Sequence, residues 1–157
     1  VALLTHAAVG LAAKPVLPKT NVWLLIMASF AVDLAMPLNF LGLPSHNPFV
    51  SAALTIVAGL SVFLKTRKPS LCILCGALVF SHWIIDFITW PLSAWYANPM
   101  RMYLFPFGKS MEIGLGFYST MTRALLCEAI SFGAGLAVYL WYRIIRKQRN
   151  RKKNHYE

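Results

Sequence analysis

The stretch Ser70–Trp90, SLCILCGALVFSHWIIDFITW, constrains this chain more than any other. An apolar run of about 20 residues is long enough to cross a bilayer as a helix. Yet this one carries His82 and Asp86. Four residues apart on a helix, the two side chains share one face on successive turns. Ionisable groups in a spanning helix are costly and turn toward a protein interior or a wet cavity. A His and a carboxylate at this spacing can hold one metal ion between them, as two His do on a zincin helix. The other reading is a buried, hydrogen-bonded structural pair.

The remaining chain is of the same kind. Its 157 residues are 58% hydrophobic, with a mean hydropathy of +0.59, more apolar and less charged than an ordinary soluble domain. The expected fold is all-α, an integral membrane helical bundle of about five hydrophobic segments. Residues 1–145 form the single membrane domain and 146–157 a basic tail. The first segment, to about Val16, is short for a span and ends at Lys14-Pro15. The second runs from Asn21, a plausible N-cap, to Leu41, with Asp33 in its second half and Pro37 expected to kink or end it. GLPSHNP, with His46, leads into a third segment over Pro48–Leu64, whose small residues suit close helix packing. The fourth is Ser70–Trp90. An aromatic-rich connection of the kind found at membrane–water interfaces covers 92–116. The fifth segment begins near Leu115 or Phe117 and ends near Ile145.

Net charge is +10, concentrated in Arg143–Lys153, in Lys65–Lys68 and at Lys14 and Lys19. Basic loops stay on the cytoplasmic side. With the C-terminal tail inside, alternating segments put Lys65–Lys68, Lys14 and Lys19 inside as well, and His46 and the 92–116 connection outside. All three basic clusters agree on one multi-pass orientation. The tail directly follows a span, so its charge needs no nucleic-acid partner; membrane lipids with anionic headgroups are the expected partners. Cys72, Cys75 and Cys127 lie in apolar runs and read as small buried hydrophobes rather than a disulfide framework. The start of the chain has no basic n-region, and no conventional cleavable signal peptide is expected.

The acidic residues and histidines are distributed unevenly. Three of the five acidic residues, Asp33, Asp86 and Glu128, fall inside apolar segments, and three of the four histidines, His6, His46 and His82, fall at similar depth. Helical rise puts Asp33 and His82 about 18 Å, and Asp86 about 24 Å, from the cytoplasmic ends of their segments. Three buried carboxylates near one another demand compensation. A divalent cation with His co-ligands supplies it. The candidate metal ligands are therefore His6, Asp33, His46, His82, Asp86 and Glu128. Each has a simpler role open to it: His6 as an interfacial residue, His46 in a turn, Asp33 capping a broken helix, Glu128 paired with Arg123 or binding a proton.

The order THAAVGLAAKPVLP, ASFAVDLAMP, SHNPF, SHWIID and IGLGFYS resembles the bacterial membrane-bound metal-dependent hydrolase family. The wider group is similar to zinc-dependent phospholipase C and the zinc phosphodiester nucleases, all-helical enzymes. Their zinc is held by a His, an Asp, a later His, a His-x-x-x-Asp helix and a His-x-x-x-Glu helix. His6, Asp33, His46 and His82/Asp86 match the first four in order. The last matches in part, with Glu128 present and Ala124 where the His would stand, which favours one or two ions over three. The resemblance implies zinc as the metal, the bacterial inner membrane as the location, and hydrolysis of a phosphate ester, a lipid or lipid-linked headgroup among the candidates. Water activated by the metal is the expected nucleophile. Asp33 is the expected bridging ligand and proton acceptor, and Arg123 the expected holder of a phosphate oxygen. Two other classes remain open: a metal-ion or proton-coupled transporter, and a structural or regulatory membrane subunit.

Overall fold

The computed structural model describes residues 2–37, 45–90, 102, 104–105 and 111–153, the last four as backbone only. The far end of the second apolar segment, most of the 92–116 connection, and His155 lie outside the described residues. Six helices follow in order: α1 (Leu3–Ala12), α2 (Val22–Ser29), α3 (Ala31–Leu34), α4 (Pro48–Thr66), α5 (Pro69–Thr89) and α6 (Met121–Lys153). The fold is an all-helical bundle, as expected.

Polarity in this bundle is inverted. Its buried polar side chains include His6, Ser29, Asn47, Ser51, His82, Asp86, Thr89 and Glu128, while Ile56, Val57, Ile73, Ile130 and Trp141 stand exposed. Water would not tolerate that apolar surface on a monomer. Hydrocarbon favours it and drives the ionisable groups inward. Three helices, α4, α5 and the Met121–Arg149 part of α6, are long and apolar enough to cross a membrane. At 1.5 Å per residue α4 and α5 are about 28 and 32 Å long, matching a hydrocarbon core of about 30 Å.

The second apolar segment is not one helix. It breaks at Phe30 into α2 and the single turn α3, earlier than Pro37 would require. The break coincides with a long-range contact: the Ser29 carbonyl accepts a hydrogen bond from His82 Nδ1 at 2.7 Å. That partner is 53 residues away and invisible to local propensity. Asn21 does cap α2, its side chain accepting from Trp23 N at 2.9 Å. The fifth segment also differs from expectation. Its helix starts at Met121, because residues 114–119 are used elsewhere, and it runs on through 145 into the basic tail without a break.

Two devices place the site. The first is the tight α4–α5 hairpin. Asn47 caps α4, accepting from Phe49 N at 2.9 Å, Pro48 occupies the first turn, and Arg67 in the left-handed conformation (φ 55°) ends the helix. The second is the Gly114–Ser119 stretch, which satisfies the end of α5. The N–H groups of Leu115, Gly116, Phe117 and Tyr118 donate to the carbonyls of Phe87, Trp90, Ile88 and Thr89 at 2.6–3.2 Å. A helix C-terminus leaves such carbonyls without partners, at a high cost in hydrocarbon. Gly114 has φ +142°, and a Cβ there would lie 2.4 Å from the Trp90 carbonyl oxygen. No other residue fits.

The short helix α1 lies between α6 on one side and α2 on the other, and also touches α5. Ala13, Leu25 and Leu78 close one core cluster; Ala2, Trp90, Met102, Tyr118 and Ala124 close another. Basic residues gather at one end of the bundle. Arg146 donates to the Pro18 carbonyl at 3.2 Å, Lys14 Nζ reaches the same turn, and Lys19 and Lys68 line one cleft there. The tail, the α1–α2 turn and the α4–α5 loop thus share an end, as the charge distribution required.

Candidate metal centre

Toward the other end, four elements bring five His and Asp side chains together. α1 supplies His6, α3 supplies Asp33, the approach to α4 supplies His46, and α5 supplies His82 and Asp86. His6 and His82 are fully buried, and their rings stack in parallel, 3.6 Å between centroids at 6°. The Asp86 side chain is 2% exposed, those of His46 and Asp33 11% and 16%. Solvent therefore meets the centre at its His46/Asp33 edge.

Asp86 uses both oxygens. Oδ1 lies 3.3 Å from His6 Nε2. Oδ2 lies 3.2 Å from His46 Nε2 and 3.1 Å from His82 Nε2. Asp33 uses one: Oδ1 lies 3.2 Å from His46 Nε2 and 3.6 Å from His82 Nε2. These contacts are close but mostly misaligned for hydrogen bonding. His6 Nδ1 and Nε2, His82 Nε2 and Asp86 Oδ2 are buried without a hydrogen-bond partner among the described residues. Only the His46–Asp33 contact has hydrogen-bond geometry.

The proton positions sharpen the point. Ser29 O can only accept, so His82 Nδ1 carries the hydrogen that it receives. In neutral His82, Nε2 is then a bare lone pair aimed at two carboxylates. Lone pairs crowded onto anionic oxygens repel unless a proton or a metal cation lies between them. A backbone carbonyl orienting a His from its far nitrogen is also the usual support of a metal-ligating imidazole. His46 Nδ1 has a comparable partner in Ser45 Oγ at 3.0 Å.

The spacing fits a metal. In a tetrahedral site with ligands at about 2.0–2.1 Å, two ligand atoms are about 3.3 Å apart. The His–Asp separations here run from 3.1 to 3.6 Å. Two groups of potential ligands emerge, each with its atoms within 4.8 Å of one another: His6, His82 and Asp86, and Asp33, His46 and His82. The hard and borderline N/O donor set suits a divalent cation.

Five of the six proposed ligands thus come together. Their arrangement differs from expectation in three respects. His6, for which an interfacial role was open, lies at the buried heart. Asp86, not Asp33, has the geometry of a bridging carboxylate, with its two oxygens on different histidines. Glu128 belongs to neither group. Its Oε2 accepts from the N–H groups of Leu4 and Thr5 at 2.6 and 3.1 Å, and its Oε1 accepts from Tyr118 at 2.8 Å. It therefore tethers the first turn of α1, where a carboxylate is favoured by the exposed N–H groups and the helix dipole. Burial first, and then the Glu128 carboxylate, push the Tyr118 phenol above its ordinary range, so it stays a donor. Arg123 is exposed, and five residues along α6 it points about 140° away from Glu128. It does not join the centre. Ala124, the place of the missing His, is fully buried in the Trp90–Tyr118 core cluster.

Residues that sequence reasoning passed over also matter. Ser29, Ser45 and Tyr118 orient the ligands or the helix that carries one. Each sits in a stretch quoted above, Ser29 in ASFAVDLAMP, Ser45 in SHNPF and Tyr118 in IGLGFYS, but nothing in those stretches names its partner. No family model, no curated protein and no solved structure matches this chain.

Proposed function

We propose that this is a membrane-embedded metal-dependent hydrolase, acting on a phosphate ester with zinc or a similar divalent ion. One observation carries the metal: buried His nitrogens and Asp oxygens converge at ligand-to-ligand distances without hydrogen bonds to satisfy them. His6, His46, His82 and Asp86 would hold the ion or ions, with Asp86 shared between the two sides of the centre. A bound divalent cation supplies Lewis acidity, polarising a phosphoryl oxygen and lowering the pKa of water.

The chain's own groups supply the rest. Asp33, the most exposed of the five, is the carboxylate that incoming water reaches, and it is the candidate proton acceptor. Its Oδ1 is held by His46, which Ser45 positions in turn. Stacking of His6 on His82 and the edge-on packing of Phe30 against His6 keep bulk water from the inner ligands, while Trp90 lies against His46 at the outer edge. The phosphate-ester substrate follows from the resemblance of the His/Asp order to zinc phospholipase-like enzymes. The bacterial inner membrane follows from the same resemblance. A centre facing the extracytoplasmic side follows from the basic end opposite it. A second reading, a structural ion site, is favoured by the near-complete burial of His6, His82 and Asp86.

The test is metal analysis of detergent-purified protein never exposed to chelator, followed by assay against phosphomonoesters and phosphodiesters. One or two equivalents of zinc and chelator-sensitive turnover are expected. Stoichiometric metal without turnover on any ester would leave the structural site. Well-folded protein without metal would end both readings.

A further inference from the structure

Helices α5 and α6 are both of membrane length, yet among the described residues they barely pack on each other; α6 lies on α1, and α1 on α5. The gap between them is a groove of ≈ 240 Å³. Ile85 and Ile88 form one wall, Cys127 and Ile130 the other, and Thr5 and Tyr118 lie along its inner side. Of its four hydroxyl side chains, Thr5, Thr89, Tyr118 and Ser131, the first three are turned in on the protein. Thr5 Oγ1 lies 3.3 Å from both Tyr118 and Glu128, Tyr118 donates to Glu128, and Thr89 donates to the Asp86 carbonyl of its own helix. The groove therefore offers a ligand mostly hydrocarbon.

It is continuous with an apolar face. Ile88 is 40%, Phe117 51% and Ile130 68% exposed, and on membrane-length helices that face meets lipid chains. A gap lined by apolar atoms forfeits dispersion contacts unless the nearest hydrocarbon enters it. The volume is below the roughly 300–1,000 Å³ of pockets that enclose a small molecule, and suits a portion of one chain. Its place is also specific. Thr5 is the neighbour of His6, and Thr89 is one turn beyond Asp86 on the same face of α5. We propose that this groove holds one hydrocarbon chain of a membrane lipid and so presents that lipid's headgroup phosphate to the His/Asp centre. The substrate part of this inference rests on the hydrolase reading; the chain-binding part does not.

The full-length protein is reconstituted in phosphatidylcholine–phosphatidylglycerol vesicles doped with a phospholipid carrying a diazirine on one acyl chain. After irradiation, cross-links are mapped by peptide mass spectrometry. Labelling of 85–89 and 127–131 is expected to exceed, several-fold, labelling at the equally exposed Val57 and Leu60 of α4. Ile130→Trp and, from the opposite wall, Ile88→Trp fill the groove and should remove the excess, each checked for an unchanged melting temperature. Labelling no greater than on α4, labelling indifferent to both substitutions, or cross-links to a second copy of the protein in place of lipid would overturn the inference. In parallel, hydrolysis of a long-chain phosphate ester is compared with that of a short, soluble one. The long-to-short ratio should fall about tenfold in each variant, the scale on which apolar pockets discriminate. An unchanged ratio overturns the substrate part. Cross-links as expected with no hydrolysis of either ester would overturn the hydrolase reading and leave the lipid groove standing.

Discussion

His82 donates its Nδ1 hydrogen to the carbonyl of Ser29, 2.7 Å away and 53 residues earlier in the chain. This one bond links three features. It coincides with the break between α2 and α3, it sets the imidazole tautomer, and it leaves Nε2 facing Asp33 and Asp86. The turn that follows the break carries Asp33 to the same His46 nitrogen that faces Asp86. The distortion of a helix and the assembly of the centre are the same event.

Asp86→Asn should abolish tight metal binding. It removes charge from the one carboxylate that, among the described residues, has both oxygens on histidines, leaving the amide a poor ligand. Zinc affinity should fall by more than the 10–100-fold typical of an outer-sphere change. The melting temperature of the wild type should rise with added zinc and that of the variant should not, because such stabilisation needs binding to the folded state. Equal zinc dependence in both proteins, by differential scanning fluorimetry in detergent, would exclude Asp86 as a ligand.

Glu128→Ala tests tether against ligand. Loss of the carboxylate strands the Leu4 and Thr5 N–H groups and the Tyr118 hydroxyl, at about 1–3 kcal/mol for a buried donor left unpaired. Metal stoichiometry should stay at the wild-type value, with weaker affinity as α1 and His6 loosen. Glu128→Gln, which keeps one carbonyl oxygen as acceptor, should restore much of the stability. A full loss of metal in Glu128→Gln, matching Asp86→Asn, would make Glu128 a ligand after all.

Gly114→Ala should be severely destabilising. The φ of +142° and the 2.4 Å approach to the Trp90 oxygen leave a Cβ no room, and backbone forced into such a region costs on the order of 1–3 kcal/mol before the clash is counted. Displacing 115–118 would also strip the end of α5 of its hydrogen bonds. The unfolding midpoint of the variant in detergent should drop well below that of Gly133→Ala, which has open space at its Cβ. Equal midpoints would contradict the packing described.

Orientation is open to labelling. Single cysteines replacing Lys65 and Met111, both exposed, in a background without the native three, should label from opposite sides of the membrane. Position 65 should react only when the inner face is accessible. Reaction of both from the same side would reject the topology.

Much of this was legible from residue order. Apolar runs of the right length gave α4, α5 and most of α6, because in hydrocarbon a segment must satisfy its own backbone, and a helix does so locally. His82 and Asp86 had to share a face because a helix repeats every 3.6 residues. The rarity of acids in an apolar chain singled out Asp33, Asp86 and Glu128, and the basic clusters set one end of the bundle apart. What sequence alone left undecided was which of these side chains meet. Glu128 looked like a ligand by its burial and spacing, and became the tether of α1 because Leu4, Thr5 and Tyr118 arrive there from distant parts of the chain. Asp33 looked like the bridge, but Asp86 has that geometry, because His6, His46 and His82 reach it from three different parts of the chain. Sequence determined the helices and the inventory of ionisable groups, which depend on local periodicity and solvation. The tertiary structure decided their partners, since a hydrogen bond between residues 53 or 124 positions apart depends on how whole helices pack, and no local pattern encodes it.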